Sequence, residues 1–295
     1  MNEKMLDQMK NGKGFIAALD QSGGSTPKAL KHYGINEDQY SSEEEMFNLI
    51  HEMRSRIITS KVFTNERILG AILFRKTMNS KIEGKYAAEY LWEEKGIVPF
   101  LKVDEGMEAE KNGCQLMKPI KSLDEEIKEA NEHKVFGTKM RSVIGAANRE
   151  GIAEIIRQQF EVGKKIFDGG LVPILEPEVT ITIPDKAEAE EMMLEEIQKN
   201  LEALPEKYQI MFKFSLPTKE GFYDELAKHP QVVRVVALSG GYPIDEANEL
   251  LSKNSGMIAS FSRALLNDLS AQQSDDEFDA KLDEAIENIY QASIQ

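Results

Sequence analysis

The residue with the strongest chemical potential in this chain is a lysine set inside an apolar run, YQIMFKFSLP, from Tyr208 to Pro217. The two-residue period of a strand puts Tyr208, Ile210, Phe212 and Phe214 on one face and Met211, Lys213 and Ser215 on the other. An ammonium so placed needs a compensating partner, a lowered pKa or a route to water. Taken alone, a strand-end lysine reaching solvent is the simpler account, but the ends of other apolar runs carry the same kind of residue. Asp20 closes GFIAALD, Lys102 and Asp104 close VPFLKVD, Lys139 and Arg141 close VFGTKMR, Glu176 and Glu178 close LVPILEPEV, and Arg263 ends GMIASFSR. Within each pair the spacing of two places both members on one strand face. Mutual salt bridges would explain any one pair. Together, though, these residues offer carboxylates for proton transfer, cations beside a nucleophilic lysine, and positive charge for an anion, which is the equipment of imine chemistry on a carbonyl substrate.

Such a constellation needs a scaffold that brings strand ends together. Eight short apolar runs, GFIAALD, RILGAILF, VPFLKVD, VFGTKMR, LVPILEPEV, YQIMFKFSLP, VVRVVALSGG and GMIASFSR, alternate with segments of helical composition. Helices are expected over residues 1–10, 42–58, 147–168, 185–204, 221–228, 244–252 and 275–290, with Thr26 and Pro27 as N-cap and first helical residue of a further one. Ser122 with Glu125 reads as a capping box for a helix ending near His133. No hairpin turn of the Asn-Gly kind and no Pro/Ser-rich linker is expected to interrupt the alternation. Eight βα units imply an α/β protein, a single (β/α)8 TIM barrel over residues 1–295, with a doubly wound open sheet as the runner-up. In a parallel barrel the carboxyl ends of the strands form the active-site mouth, where these polar residues would meet.

Two Gly-rich turns add anion cradles. Ser239-Gly240-Gly241 after the seventh run and Ser262-Arg263 after the eighth fall where barrels commonly bind phosphate, and Gln21-Ser22-Gly23-Gly24-Ser25 after the first offers a second site. Two cradles at one mouth suggest a substrate phosphorylated at both ends. A formal charge of −15 argues against nucleic acid or an anionic membrane as the main partner. No run of eighteen apolar residues is present, and the first residues lack the apolar core of a signal peptide, so a soluble cytoplasmic protein is expected. One cysteine and four histidines leave no disulfide or metal framework, so neither a metal nor another cofactor is expected. Oligomeric state cannot be read from the sequence.

The stretches FIAALDQSGGS, AILF, FLKVD, GTKMR, VPILEPEV, FKFSLP, ALSGG and FSRAL together resemble class I, Schiff-base fructose-1,6-bisphosphate aldolases. The resemblance implies reversible cleavage of fructose 1,6-bisphosphate to dihydroxyacetone phosphate and glyceraldehyde 3-phosphate. It implies Lys213 as the imine-forming lysine, Glu176 as acid and base for the imine steps, and Asp20 as acceptor of the C4 hydroxyl proton, with Lys139 and Glu178 completing the centre. Ser239, Gly240, Ser262 and Arg263 would hold the phosphate that stays with the imine; Ser22, Ser25 and Lys102 would hold the other, with Arg141 near the aldehyde half. Two departures stand out. Gln21 replaces the glutamate of animal members, and the chain ends ASIQ without their tail and terminal tyrosine, which leaves Glu176 as the best-placed group to protonate the enamine. Other lysine-imine barrels, such as a transaldolase or a deoxyribose-phosphate aldolase, share the chemistry but need one phosphate pocket. A non-catalytic sugar-phosphate sensor would need no lysine nucleophile. A metal-dependent aldolase would want histidines at strand ends, where this sequence has none.

Overall fold

The computed structural model describes residues 2–295, apart from the side chains of Arg263 and Ala264 and the surroundings of Gly23. Eight strands run parallel in chain order: β1 Phe15–Leu19, β2 Ile68–Leu73, β3 Val98–Lys102, β4 Gly137–Ile144, β5 Val172–Val179, β6 Ile210–Ser215, β7 Val232–Leu238 and β8 Met257–Ala259. Each pairs with the next, and β8 returns alongside β1 without ladder bonds between them, which makes a nearly closed (β/α)8 TIM barrel. The open sheet is thereby excluded.

Alternation along the strands separates two cores. Ile210, Phe212 and Phe214 of β6 belong to the outer core packed under the helices, whereas Met211 joins Ile16, Ile72, Phe100, Ile174 and Val236 inside the barrel. Lys213 shares Met211's face and therefore points inward. The helix Glu3–Asn11 closes the amino-terminal end of the barrel, with Met5 and Met9 buried in the interior cluster. Its last carbonyls, which have no partner within the helix, are met by Arg234 of β7: the guanidinium donates to the carbonyls of Met9 at 2.8 Å, Lys10 at 2.9 Å and Gly12 at 3.0 Å. Sealing that end leaves the opposite mouth as the access to the interior. Gly137, the first residue of β4, lets that strand pack closely on β5 at the sealed end, since a Cβ would fall 2.2 Å from the Val172 carbonyl.

The structure corrects several local expectations. Asn112-Gly113 does make a hairpin turn, with both residues at positive φ (53° and 66°) and Lys111 and Cys114 exchanging backbone bonds. Cys114–Gln115 then adds antiparallel to the extended end of β4. A second small hairpin joins Lys81–Ile82 to Lys85–Tyr86 through Glu83 and Gly84. Ser122 precedes the helix Leu123–Glu132 but builds no capping box; its hydroxyl donates to Glu126 at 2.8 Å, while Glu125 reaches out to Arg75. The helix Thr26–His32 starts one residue early, so Ser25 takes the cap position and Thr26 is buried. The helix Lys186–Ala203 is not solvated along its whole charged face: Lys186 and Glu190 are buried, for a reason that concerns the site.

No helix among the described residues is long and apolar enough to cross a membrane. The helix Asp275–Ser293 lies along β8 and β1, where the Ser293 hydroxyl accepts the Ala259 N–H at 3.1 Å.

Candidate active site

Register does most of the positioning. Lys102 at the end of β3 is level with Lys139 of β4, and Arg141 is level with Glu176 of β5. Because all these side chains occupy inward positions, the last turn of the barrel interior is charged where the turns below it are apolar. Lys139 is the hub. Its Nζ lies 2.8 Å from Asp20 Oδ2, 3.0 Å from Glu176 Oε2 and 3.9 Å from Asp104 Oδ2. The other oxygen of Glu176 faces Lys213 Nζ at 3.3 Å, so a single carboxylate is shared by two lysines. Lys139, Glu176 and Lys213 are each less than 5% exposed.

A fully buried charge is costly unless paired, and here two ammoniums and two carboxylates compensate one another. Burial by itself pushes the Asp20 carboxyl up, but the charges of Lys139 and Lys213 outweigh it and hold the group well below its ordinary range. Burial likewise works against a charged Lys139, and Asp20, Glu176 and Asp104 reverse that and raise its pKa well above the usual lysine value. Asp20 is therefore an unprotonated acceptor at neutral pH, and Lys139 a permanent cation.

The mouth around this centre is a cavity of about 960 Å³. Its wall includes Asp20, Ser22, Ser25, Lys102, Arg141 and Ser262. Ser239 and Gly240 follow β7 and form no part of that wall among the described residues; the Arg263 side chain lies outside the described residues. The surplus positive charge expected at the mouth is smaller than the sequence suggested. Lys102 donates to both the carboxylate and the carbonyl of Asp104, each at 2.8 Å, and Arg141 Nε is 2.6 Å from Glu178. The Arg141 guanidinium gains a raised pKa against its burial through that pairing. Ser25 uses its hydroxyl within its own turn, accepting the Ser22 N–H at 3.0 Å and donating to the Ser22 carbonyl at 2.9 Å. Lys28 and His32, on the helix that follows, line the same cavity and were not singled out from the sequence. The signal for Lys28 was its place directly after Pro27, in the first turn.

Three further residues escaped the sequence reading. Lys186 donates to Glu190 at 2.5 Å, to the Leu216 carbonyl at 2.8 Å and to Thr218 Oγ1 at 3.1 Å, while Glu190 accepts the Thr218 N–H at 3.0 Å. This buried pair clamps the chain directly after the strand that carries Lys213. Arg54, in the helix Glu43–Thr59, is buried beneath the turn after β1 and donates to the Gln21 carbonyl.

The sequence profile of the family "Fructose-bisphosphate aldolase class-I" matches residues 3–214. The chain belongs to that family. As a member it is an aldolase, hence a lyase, and the matched span includes Asp20, Lys102, Lys139, Glu176 and Lys213, while the loops after β7 and β8 lie beyond it. Among solved structures, the aldolase chain resembles fructose-bisphosphate aldolase from Plasmodium falciparum, crystallised with TRAP and a small-molecule inhibitor, with 21% identity, 98% of this chain and 94% of that one covered, and a TM-score of 0.76. It also resembles Cgl0159 from Corynebacterium glutamicum at 12% identity, covering 98% of this chain and 92% of that one, with a TM-score of 0.56. These likenesses concern the fold.

Proposed function

We propose that this aldolase cleaves fructose 1,6-bisphosphate reversibly to dihydroxyacetone phosphate and glyceraldehyde 3-phosphate through an imine on Lys213. The observation that carries the reading is the shared carboxylate: Glu176 stands between buried Lys213 and buried Lys139, with Asp20 on the far side of Lys139.

In this mechanism Glu176, 3.3 Å from Lys213 Nζ, takes a proton from the Lys213 ammonium, and the freed amine adds to the substrate C2 carbonyl. Glu176, within reach of the same nitrogen, passes a proton to the departing C2 oxygen, which leaves as water. The resulting cationic imine withdraws electrons from C3. Asp20, kept ionised by its neighbours, takes the C4 hydroxyl proton, the C3–C4 bond breaks, and its electron pair moves to the imine as an enamine while the aldehyde leaves. The proton that Asp20 took passes by way of solvent to Glu176 and from it to C3, and water then hydrolyses the cationic imine, releasing the ketone and restoring the Lys213 ammonium. Lys139 stays charged throughout and keeps the two carboxylates in place. Glu178 orients Arg141 at the aldehyde side of the mouth. Ser22, Ser25 and Lys102 bind one phosphate; Ser239, Gly240, Ser262 and Arg263 bind the other. Fixing both ends holds the scissile bond over Lys213 and Asp20, and this positioning supplies much of the rate. The single domain works in the cytoplasm on small sugar phosphates and needs no metal.

The test is turnover of fructose 1,6-bisphosphate, followed by trapping the triose products, before and after exhaustive treatment with EDTA. Equal rates are expected, since the proton and electron transfers above use side chains alone. Loss of activity that zinc restores would contradict the reading, as would cleavage of a monophosphorylated ketose at the same kcat/KM as the bisphosphate.

A further inference from the structure

The turn after β1 is held from below by an arrangement that the proposed mechanism does not use. Arg54 is fully buried, and among the described residues no carboxylate lies within ion-pair distance of it. One terminal nitrogen donates to Thr77 Oγ1 at 2.6 Å; the other donates to the Gln21 backbone carbonyl and lies 3.3 Å from Gln21 Oε1. On its other side the Gln21 amide nitrogen donates to the Ala18 carbonyl at 3.2 Å and to Ser262 Oγ at 2.5 Å. Thus Thr77, Arg54, Gln21 and Ser262 form one chain of bonds across the mouth end of the seam between β8 and β1, where the barrel ladder is open.

The direction of those bonds is forced. A flipped amide would aim its NH2 at a guanidinium, which only donates, and its oxygen at the Ala18 carbonyl, which only accepts. With Oε1 fixed on Arg54, the Ser262 hydroxyl receives a hydrogen bond from Gln21, and its own hydrogen is taken by no acceptor among the described residues. Ser262 lines the cavity. Resting on the sugar-phosphate aldolase reading above, we infer that Arg54 and Gln21 are positioning residues that polarise Ser262, turning its hydroxyl outward as a hydrogen-bond donor to the substrate phosphate. A glutamate at position 21 would reverse this. It can only accept, so it would pair with Arg54 and draw the Ser262 hydrogen inward, away from the phosphate. The neutral amide is therefore what lets a buried cation reach the phosphate site by way of a hydroxyl.

The probe is dihydroxyacetone phosphate, whose Kd is measured by calorimetry on the full-length protein and on Gln21→Glu, Gln21→Met, Ser262→Ala and the Gln21→Glu/Ser262→Ala double variant. Gln21→Glu and Ser262→Ala should each weaken binding about tenfold, the worth of one charge-assisted hydrogen bond. The double variant should be no more than about twofold worse than either single one, because without the hydroxyl there is nothing left to turn. Gln21→Met removes every bond of the amide yet leaves the Ser262 hydrogen free, so it should bind better than Gln21→Glu. Losses that multiply in the double variant, or Gln21→Met binding as badly as Gln21→Glu, would overturn the inference and leave Gln21 a structural residue. A wild-type protein that binds no dihydroxyacetone phosphate would overturn the aldolase reading together with this one, before any variant is compared.

Discussion

Lys213→Met is expected to lower kcat for fructose 1,6-bisphosphate at least about ten-thousandfold, the scale seen when a covalent nucleophile is removed from a site whose remaining groups act only with it. Methionine keeps the length and removes a buried charge, and Glu176 retains Lys139 at 3.0 Å, so the barrel should remain folded. Binding of the bisphosphate should suffer far less than turnover, because the phosphate contacts are untouched. Steady-state kinetics with a circular dichroism control decide the matter: a variant within about tenfold of wild-type kcat would mean that another group does the chemistry.

Lys139→Met is expected to produce the largest loss of stability. It strips Asp20 of its nearest cation and leaves Glu176 only Lys213, and breaking a buried ion pair on one side costs about 3 to 5 kcal/mol. The pH dependence has a definite sign. In the wild type the depressed Asp20 pKa stabilises the fold above its ordinary value of 3.8 and is lost only as pH falls below that. The raised Lys139 pKa stabilises below 10.5 and is lost only as pH rises beyond that. Neither effect varies in the neutral range. Without Lys139, burial is left to dominate at Asp20 and pushes its carboxyl up, so the folded variant holds a proton that the unfolded chain has released, and its stability falls as pH rises. Urea unfolding at pH 5 and pH 8 should therefore show a deficit that grows with pH. A deficit equal at both would mean that Lys139 contributes packing rather than charge compensation.

Much of this was legible because strands and carboxylates obey simple rules. The two-residue period in YQIMFKFSLP separated Met211 and Lys213 from Phe212 and Phe214, and Met211 does fall into a different core from the two phenylalanines. The pairs Lys139/Arg141 and Glu176/Glu178 were visible for the same reason. How the charges would be shared was not. Spacing says that Lys102 and Asp104 face the same way, but not that they would satisfy each other and leave less free charge at the mouth. Lys186 and Glu190 sit in KAEAEEMMLEEIQKNLEA, whose density of charge reads as a solvated face, and only the loop Leu216–Thr218 packed over them makes them interior. Arg54 was closer to readable: it lies four residues after Ile50 and three before Ile57, on the buried stripe of its helix. The Asn112-Gly113 hairpin was missed because the strands it joins are two residues or fewer, too short to carry a period.

The claim on which all else depends is that Lys213 forms the imine. Borohydride reduction in the presence of labelled dihydroxyacetone phosphate, followed by proteolysis and mass spectrometry, tests it directly. The account predicts irreversible inactivation with one triose phosphate per chain, carried by Lys213 alone, and no labelling of the Lys213→Met variant. Label on Lys139 or any other lysine, or full activity after reduction, would contradict it.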